Sequence, residues 1–126
     1  KLILGKKWEK LFELNLELIS WVNRELDINT KTIIASELKI DETGNVKLLK
    51  ICEKLNATTY LSGKMGKNYL DESGFMEKNI HISYDNFEHP KYNQIHGDFM
   101  PNMSIIDLMF NEGEKAKKIL KKSIMP

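Results

Sequence analysis

One stretch, Thr58 to Leu70, constrains this chain's fold more than any other, because a β-branched run passes there into a glycine- and lysine-bearing turn and then into helical spacing. Thr58-Thr59-Tyr60-Leu61 has the composition of a strand. Ser62-Gly63-Lys64-Met65-Gly66-Lys67 supplies the turn, and a short helix is expected near Asn68 to Leu70, with a second piece from Glu72 to Lys78. The same alternation recurs on both sides. Thr32-Ile33-Ile34-Ala35 reads as a buried strand. Asn45 to Leu55 reads as a helix with Leu48, Leu49, Ile51, Cys52 and Leu55 inward, ended by Asn56 as a left-handed cap. Ile80-His81-Ile82-Ser83-Tyr84 alternates apolar and polar residues and reads as a third strand nearer an edge. Strand, helix, strand, helix, strand with short loops implies parallel βαβ units. The expected fold is therefore α/β, a Rossmann-like three-layer arrangement with a short, mostly parallel sheet flanked by helices.

The flanks are helical. From Lys7 to Leu26, apolar residues at Trp8, Leu11, Phe12, Leu18, Ile19, Val22 and Leu26 follow helical spacing, and Leu14, Leu16 and Trp21 widen the face. Such a helix is expected to be buried on more than one side or to meet a partner. Asn86 to Pro101 reads as an irregular loop. A helix from Ile105 to Phe110 is started by Asn102 or by Met103-Ser104 and interrupted at Gly113, and Glu114 to Ser123 forms a basic helical tail whose lysines suit a solvated face or an anionic contact. Met100, Met103 and Met109 read as core filling.

At 126 residues the chain suits a single domain with a real apolar core, and 41% hydrophobic with 29% charged residues is ordinary globular usage. A net charge of +1 argues against a general nucleic-acid binder. Cys52 is the only cysteine, which excludes an internal disulfide and a CxxC metal site; its helical setting marks it as a small buried apolar residue. No apolar run reaches the length of a membrane span. The opening Lys1-Leu2-Ile3-Leu4-Gly5 lacks an initiator Met and leads directly into the helix, as if a preceding portion were cut away.

Few residues carry a chemical signal. A turn leaving a strand's carboxyl end for a helix offers backbone N–H groups, glycines permit close approach, and Lys64 and Lys67 add positive charge, which suits a phosphate. The same residues also suit an ordinary βα turn with glycine at positive φ, and neither GxxxxGK[ST] nor GxGxxG is present. Ser36 and Glu37 end the expected first strand and so belong on the same rim, placed for a ligand hydroxyl or amine. His81, His89 and His96 lack metal-ligand spacing, so no metal is expected. His96-Gly97-Asp98 pairs an imidazole with a carboxylate, which makes His96 a candidate general base. Asp107, acidic within an apolar helix, needs a partner if buried: it either braces the loop through Ser104, Asn102 or Tyr92 or faces a ligand.

Ala35-Ser36-Glu37-Leu38, Ile51 through Gly63, Gly66 through Asp71, His89 through Gln94 and Phe99 through Asn111 together resemble, in order, the C-terminal half of the WbqC-like proteins. The resemblance covers about Thr32 to Gly113. It implies a setting in surface-polysaccharide and sugar-modification pathways, with acyl or aminoacyl transfer to an amino sugar as the proposed chemistry. The family-pattern positions are Ser36, Glu37, Tyr60, Ser62, Gly63, Gly66, Tyr69, Tyr92, Gln94, Asn102, Ser104 and Asp107. The family's N-terminal His-Gln-Pro-Asn-Tyr-type motif has no counterpart in this sequence.

The resulting expectation is the C-terminal part of a cytoplasmic, transferase-like protein that binds a nucleotide-linked sugar or another phosphorylated small molecule, with no cofactor. Ser62, Gly63, Lys64, Gly66 and Lys67 hold the phosphate, with Tyr69 beside them. Ser36 and Glu37 orient the sugar or amine, Tyr92, Gln94 and His96 close the pocket, and His96 and Asp107 are the catalytic candidates. The alternative is a non-catalytic binding or assembly domain, a homodimer for example, acting through the N-terminal helix.

Overall fold

The computed structural model describes residues 3–124; Lys1, Leu2, Met125 and Pro126, and with them the start of the opening segment, lie outside it. The chain divides into two compact units, Thr32–Phe87 and the pair of segments Lys1–Lys31 with Glu88–Pro126.

In the Thr32–Phe87 unit, helix α2 (Gly44–Lys54) leads to strand β1 (Thr59–Ser62), and helix α3 (Glu72–Glu77) leads to strand β2 (His81–Tyr84). The strands pair in parallel, with Thr59 opposite His81 and Ser62 opposite Tyr84. Both helix-to-strand turns use one device. Asn56 and Asn79 adopt left-handed φ of 53° and 57°. Their N–H groups bond back to Glu53 and Met76, while Ala57 and Ile80 donate to Cys52 and Phe75, each at 2.9 Å. This double bond pattern is the Schellman motif, which Asn accommodates because its side chain tolerates the left-handed region. Asp71 starts α3: its carboxylate accepts from Ser73 N at 3.1 Å. The core gathers Cys52, Phe75 and Ile80, with Leu48, Leu49, Ala57, Tyr60 and Ile82 packed against it. Phe75 is 1% exposed and stacks on Tyr60 at 5.4 Å. Its burial contributes roughly 1.5–3 kcal/mol.

The mixed helix-and-strand architecture and the parallel β–α–β unit match the expectation, but the sheet has two strands among the described residues. Thr32-Ile33-Ile34 forms no strand and has no ladder partner among the described residues, and Ala35–Leu38 is a 3-10 helix. The β-branched run was a sound strand signal, yet Thr32 and Ile33 are exposed and bury nothing that would hold a strand in place. Leu55, expected inward, is exposed as well, since α2 ends before it.

In the other unit, α1 (Leu11–Glu25) begins later than its apolar spacing predicted. Trp8 stands before it, its indole N–H donating to the Ile3 carbonyl at 2.9 Å. Asp27 ends α1 in the left-handed conformation, with Ile28 N bonded to Asn23 O. Helix α4 (Ile105–Glu112) is capped by Ser104, whose hydroxyl accepts from Ile106 N. Gly113, at φ 53°, opens a 3-10 turn that redirects the chain into α5 (Ala116–Ile124). The core comprises Leu26, Tyr92, Leu108 and Ala116, with Val22, Phe99, Ile105, Met109, Ile119 and Leu120 against it. Met109 thus fills core as expected, whereas Met100 and Met103 are exposed. No described helix is long and apolar enough to cross a membrane.

Candidate functional site

The turn after β1 is helical rather than open. Lys64–Asn68 forms a 3-10 helix entered from Gly63, whose φ is −65°. Neither glycine therefore serves to reach positive φ, contrary to the ordinary-turn reading. Gly66 is required by closeness: a Cβ there would stand 2.1 Å from Ser62 Oγ and 3.2 Å from Ser62 Cβ. Ser62 is buried, and its hydroxyl donates to the Gly63 carbonyl at 3.2 Å. The two residues lock the strand end against the turn. Lys64 and Lys67 are both exposed, and the Lys67 ammonium lies 5.0 Å from the Tyr84 ring centre at the neighbouring strand end. Tyr84 donates to Glu72 Oε1 at 2.5 Å. That bond, aided by burial, pushes the Tyr84 phenol up to about 12. Tyr69 is exposed, and its carbonyl accepts from Asn45 Nδ2 at 2.9 Å. Tyr60, stacked in the core, has its phenol raised chiefly by burial.

Ser36 and Glu37 are exposed on the 3-10 helix Ala35–Leu38. The strand that was to carry them to the rim of the sheet does not form, so that premise for their role is overturned.

The third set belongs to the other unit and forms a tight polar knot. Tyr92 Oη donates to Asp107 Oδ2 at 2.7 Å, and Gln94 Nε2 donates to the same oxygen at 3.1 Å. The Gln94 amide also clamps the loop backbone: Nε2 donates to the Met100 carbonyl at 3.0 Å and Oε1 accepts from Met100 N at 2.8 Å. Asn111 and Glu112, further along α4, accept from Ile95 N and Asn93 N at 3.0 Å each. Burial, followed by the bond to Asp107, raises the Tyr92 phenol. The His89 ring packs near Tyr92 and Phe99, and its Nδ1 is 3.0 Å from the Pro90 carbonyl, so Nδ1 carries the proton. Asp107 thus braces the loop through Tyr92, one of the two roles its sequence allowed. His96 and Asp98 are exposed at the loop tip and form no ion pair with each other among the described residues.

The candidates therefore divide between the units: Ser36, Glu37, Ser62, Gly63, Lys64, Gly66, Lys67 and Tyr69 in one, Tyr92, Gln94, His96 and Asp107 in the other. Among the described residues no group of three or more His, Cys, Asp or Glu side chains is placed to hold a metal. Sequence reasoning did not single out the clamp partners Asn111 and Glu112. For Asn111 the available signal was its place four residues beyond Asp107, on the same side of α4; Glu112 carried none.

Comparison with known proteins extends the resemblance. The WbqC-like protein family matches residues 1–119, and so includes α1 as well as the stretches quoted above. An uncharacterized protein of Mycobacterium tuberculosis (strain ATCC 25618 / H37Rv) is 30% identical over 109 residues, 86% of this chain and 47% of the relative. The chain thus spans about half the length of the curated relative it matches. No solved structure matches. With nearly its whole length matched, the chain belongs to the WbqC-like protein family.

Proposed function

We propose that this chain is part of a cytoplasmic, transferase-like protein of surface-polysaccharide biosynthesis that binds a nucleotide-linked amino sugar and transfers an acyl or aminoacyl group. The observation that carries the phosphate-binding part is the turn at the end of β1. Gly66 and buried Ser62 fix its backbone, and Lys64 and Lys67 extend from it into solvent, two cations on a rigid base. Family membership supports the sugar context. In the longer protein, this reading places the two-stranded parallel sheet within a Rossmann-like three-layer arrangement with further strands, because parallel pairs are characteristically covered on both faces. Ser36 and Glu37 then serve as exposed polar groups for the sugar or amine.

Thermal-shift measurements with nucleotide sugars, nucleotides and phosphate test this reading. Stabilisation is expected by about 2.7 kcal/mol at a ligand concentration a hundredfold above Kd. The Lys64→Ala and Lys67→Ala variants should weaken it. An unchanged melting curve with every anionic ligand, or shifts indifferent to both lysines, refutes it.

A second reading has its own observation. No residue of α1 is buried, and Leu11, Phe12 and Ile19 are 71%, 52% and 51% exposed. These side chains make α1 an apolar surface for assembly, including homodimerisation. Sedimentation should then show a concentration-dependent dimer that Leu11→Glu and Ile19→Glu abolish. A strict monomer rules out the homodimer.

A further inference from the structure

Two adjoining cavities in the unit that contains α1, α4 and α5 have complementary chemistry. One, of about 370 Å³, is lined by Trp21, Leu26, Met109 and Phe110, with the carboxylates of Glu25 and Glu114 and the ammonium of Lys117 completing it. The other, an open surface depression of about 560 Å³ along the C-terminal helical segment, is lined by Glu114 and by Lys117, Lys118, Lys121 and Lys122. Glu114 and Lys117 line both, so the two adjoin. Phe110 is 76% exposed, a large aromatic surface left open beside the apolar half.

The charge distribution is equally uneven. Of the chain's nineteen basic residues, five fall within Glu114–Ser123 against a single glutamate, leaving fourteen basic and seventeen acidic residues elsewhere. A nearly neutral chain thus carries one concentrated cationic segment. Lys117 is already engaged, at 2.6 Å from Asp27 Oδ2. Lys118, Lys121 and Lys122 take part in no ion pair among the described residues, and their spacing of three and four puts Lys121 and Lys122 beside Lys118 on α5. The apolar side of α5 is not available for a membrane, because Ala116, Ile119 and Leu120 pack into the core with Leu26, Tyr92 and Leu108.

We propose that the two cavities form one bipartite site for a nucleoside diphosphate or its sugar conjugate. The ring lies against Trp21 and Phe110, and the diphosphate lies over Lys118, Lys121 and Lys122. Aromatic walls with a few polar groups are the usual lining for a flat organic ligand. Glu25 and Glu114 accept hydrogen bonds from ribose hydroxyls or an exocyclic amine. The lysines supply charge-assisted bonds to phosphate oxygens. Joining a ring subsite to an anion subsite makes the conjugate bind more tightly than either half alone. The site does not depend on the turn after β1 and stands or falls separately from it.

Trp8 and Trp21 are the only tryptophans, so a Trp8→Phe background leaves Trp21 as the sole indole reporter. Titration of that protein at low salt with UDP, uridine and inorganic pyrophosphate tests the arrangement. The expected result is saturable quenching by UDP, with uridine and pyrophosphate each binding at least about tenfold more weakly. Lys118→Ala with Lys121→Ala should weaken UDP about tenfold and leave uridine unchanged. Both lysines are on the surface, and far-ultraviolet circular dichroism confirms folding of the variant. Lys64→Ala and Lys67→Ala should leave intact both the Trp21 signal and the part of the UDP thermal shift that comes from this site. Absence of saturable UDP quenching overturns the proposal. So does equal affinity for pyrophosphate and UDP, indifference to the α5 lysines, or loss of the signal in the turn variants.

Discussion

If Asp107 is a brace rather than a reacting group, its removal should be read in stability and in its coupling to Tyr92. Asp107 Oδ2 accepts from Tyr92 Oη at 2.7 Å and from Gln94 Nε2 at 3.1 Å. Tyr92 is buried, so Asp107→Ala leaves its hydroxyl without this acceptor and frees Gln94 from one of its anchors. Loss of a hydrogen bond to a charged group costs about 1.5–3 kcal/mol, with a further penalty for the stranded donor. A total near 2–4 kcal/mol is expected for Asp107→Ala. Tyr92→Phe keeps the ring but removes both the bond to Asp107 and the 3.4 Å bond that Tyr92 Oη accepts from Gln94 Nε2, and should cost about 1–2 kcal/mol. The two share one interaction, so the double variant should be less destabilised than their sum by about 1–2 kcal/mol. Asp107→Asn retains an acceptor and should fall within about 1 kcal/mol of the parent. Urea unfolding followed by circular dichroism and by tryptophan emission gives these values and shows whether the transition is two-state. Limited proteolysis supplies a local readout: cleavage near Ile95–Asp98 should accelerate in Asp107→Ala as the Gln94 clamp on Met100 loosens. Additive costs, or an Asp107→Ala protein as stable and as protease-resistant as the parent, would refute the brace.

Other perturbations test the remaining structural claims. Gly66→Ala forces a Cβ against Ser62 and within 3.0 Å of Leu70 Cδ1, and should cost about 1–3 kcal/mol in denaturant titration, part of it recovered by Ser62→Ala. Asp71→Ala removes the cap of α3 and should cost about 1 kcal/mol, lowering the melting temperature by a few degrees. Tyr84 holds its proton up to about pH 12 because its hydroxyl bonds to Glu72. A folded-state pKa above the unfolded value means that its contribution is complete below about pH 10 and fades between about 10 and 12. An ultraviolet phenolate titration should lose its highest component in Tyr84→Phe and shift it downward in Glu72→Gln. Burial raises the Cys52 thiol, so a thiol reagent at neutral pH should react with it slowly until denaturant is added.

The elements that were legible in sequence are those whose local signals agree. Around β1 and β2 the strand composition, the preceding apolar helix face and the closing Asn all point the same way, and Asn56 could be named as a left-handed cap without a structure. Thr32-Ile33-Ile34-Ala35 had only composition. A strand also needs a neighbour for its N–H and C=O groups, and that requirement is not written in its own four residues. The start of α1 was overextended for a related reason. Trp8 fits the helical period, but its indole is committed to the Ile3 carbonyl, a local bond that periodicity does not register.

The candidate site shows the same limit more sharply. Asp107 was recognisable as a carboxylate in an apolar helix, and both roles open to it, ligand contact and brace, follow from that placement. What separates them is the number of donors aimed at one oxygen, and those come from residues fifteen and thirteen positions upstream. Gly63 and Gly66 pose a parallel case. Both were legible as turn glycines, yet Gly63 has ordinary φ and open space, while Gly66 is fixed by the buried Ser62 hydroxyl. Only Gly66 is therefore irreplaceable on steric grounds. Any role for Gly63 has to come from what approaches it from outside, since a Cβ at that position would meet no atom of the described residues within 4 Å beyond its chain neighbours. Gly63→Ala is thus the cleaner probe of anion binding at the turn. It leaves the fold intact and obstructs only a ligand that comes close to the backbone.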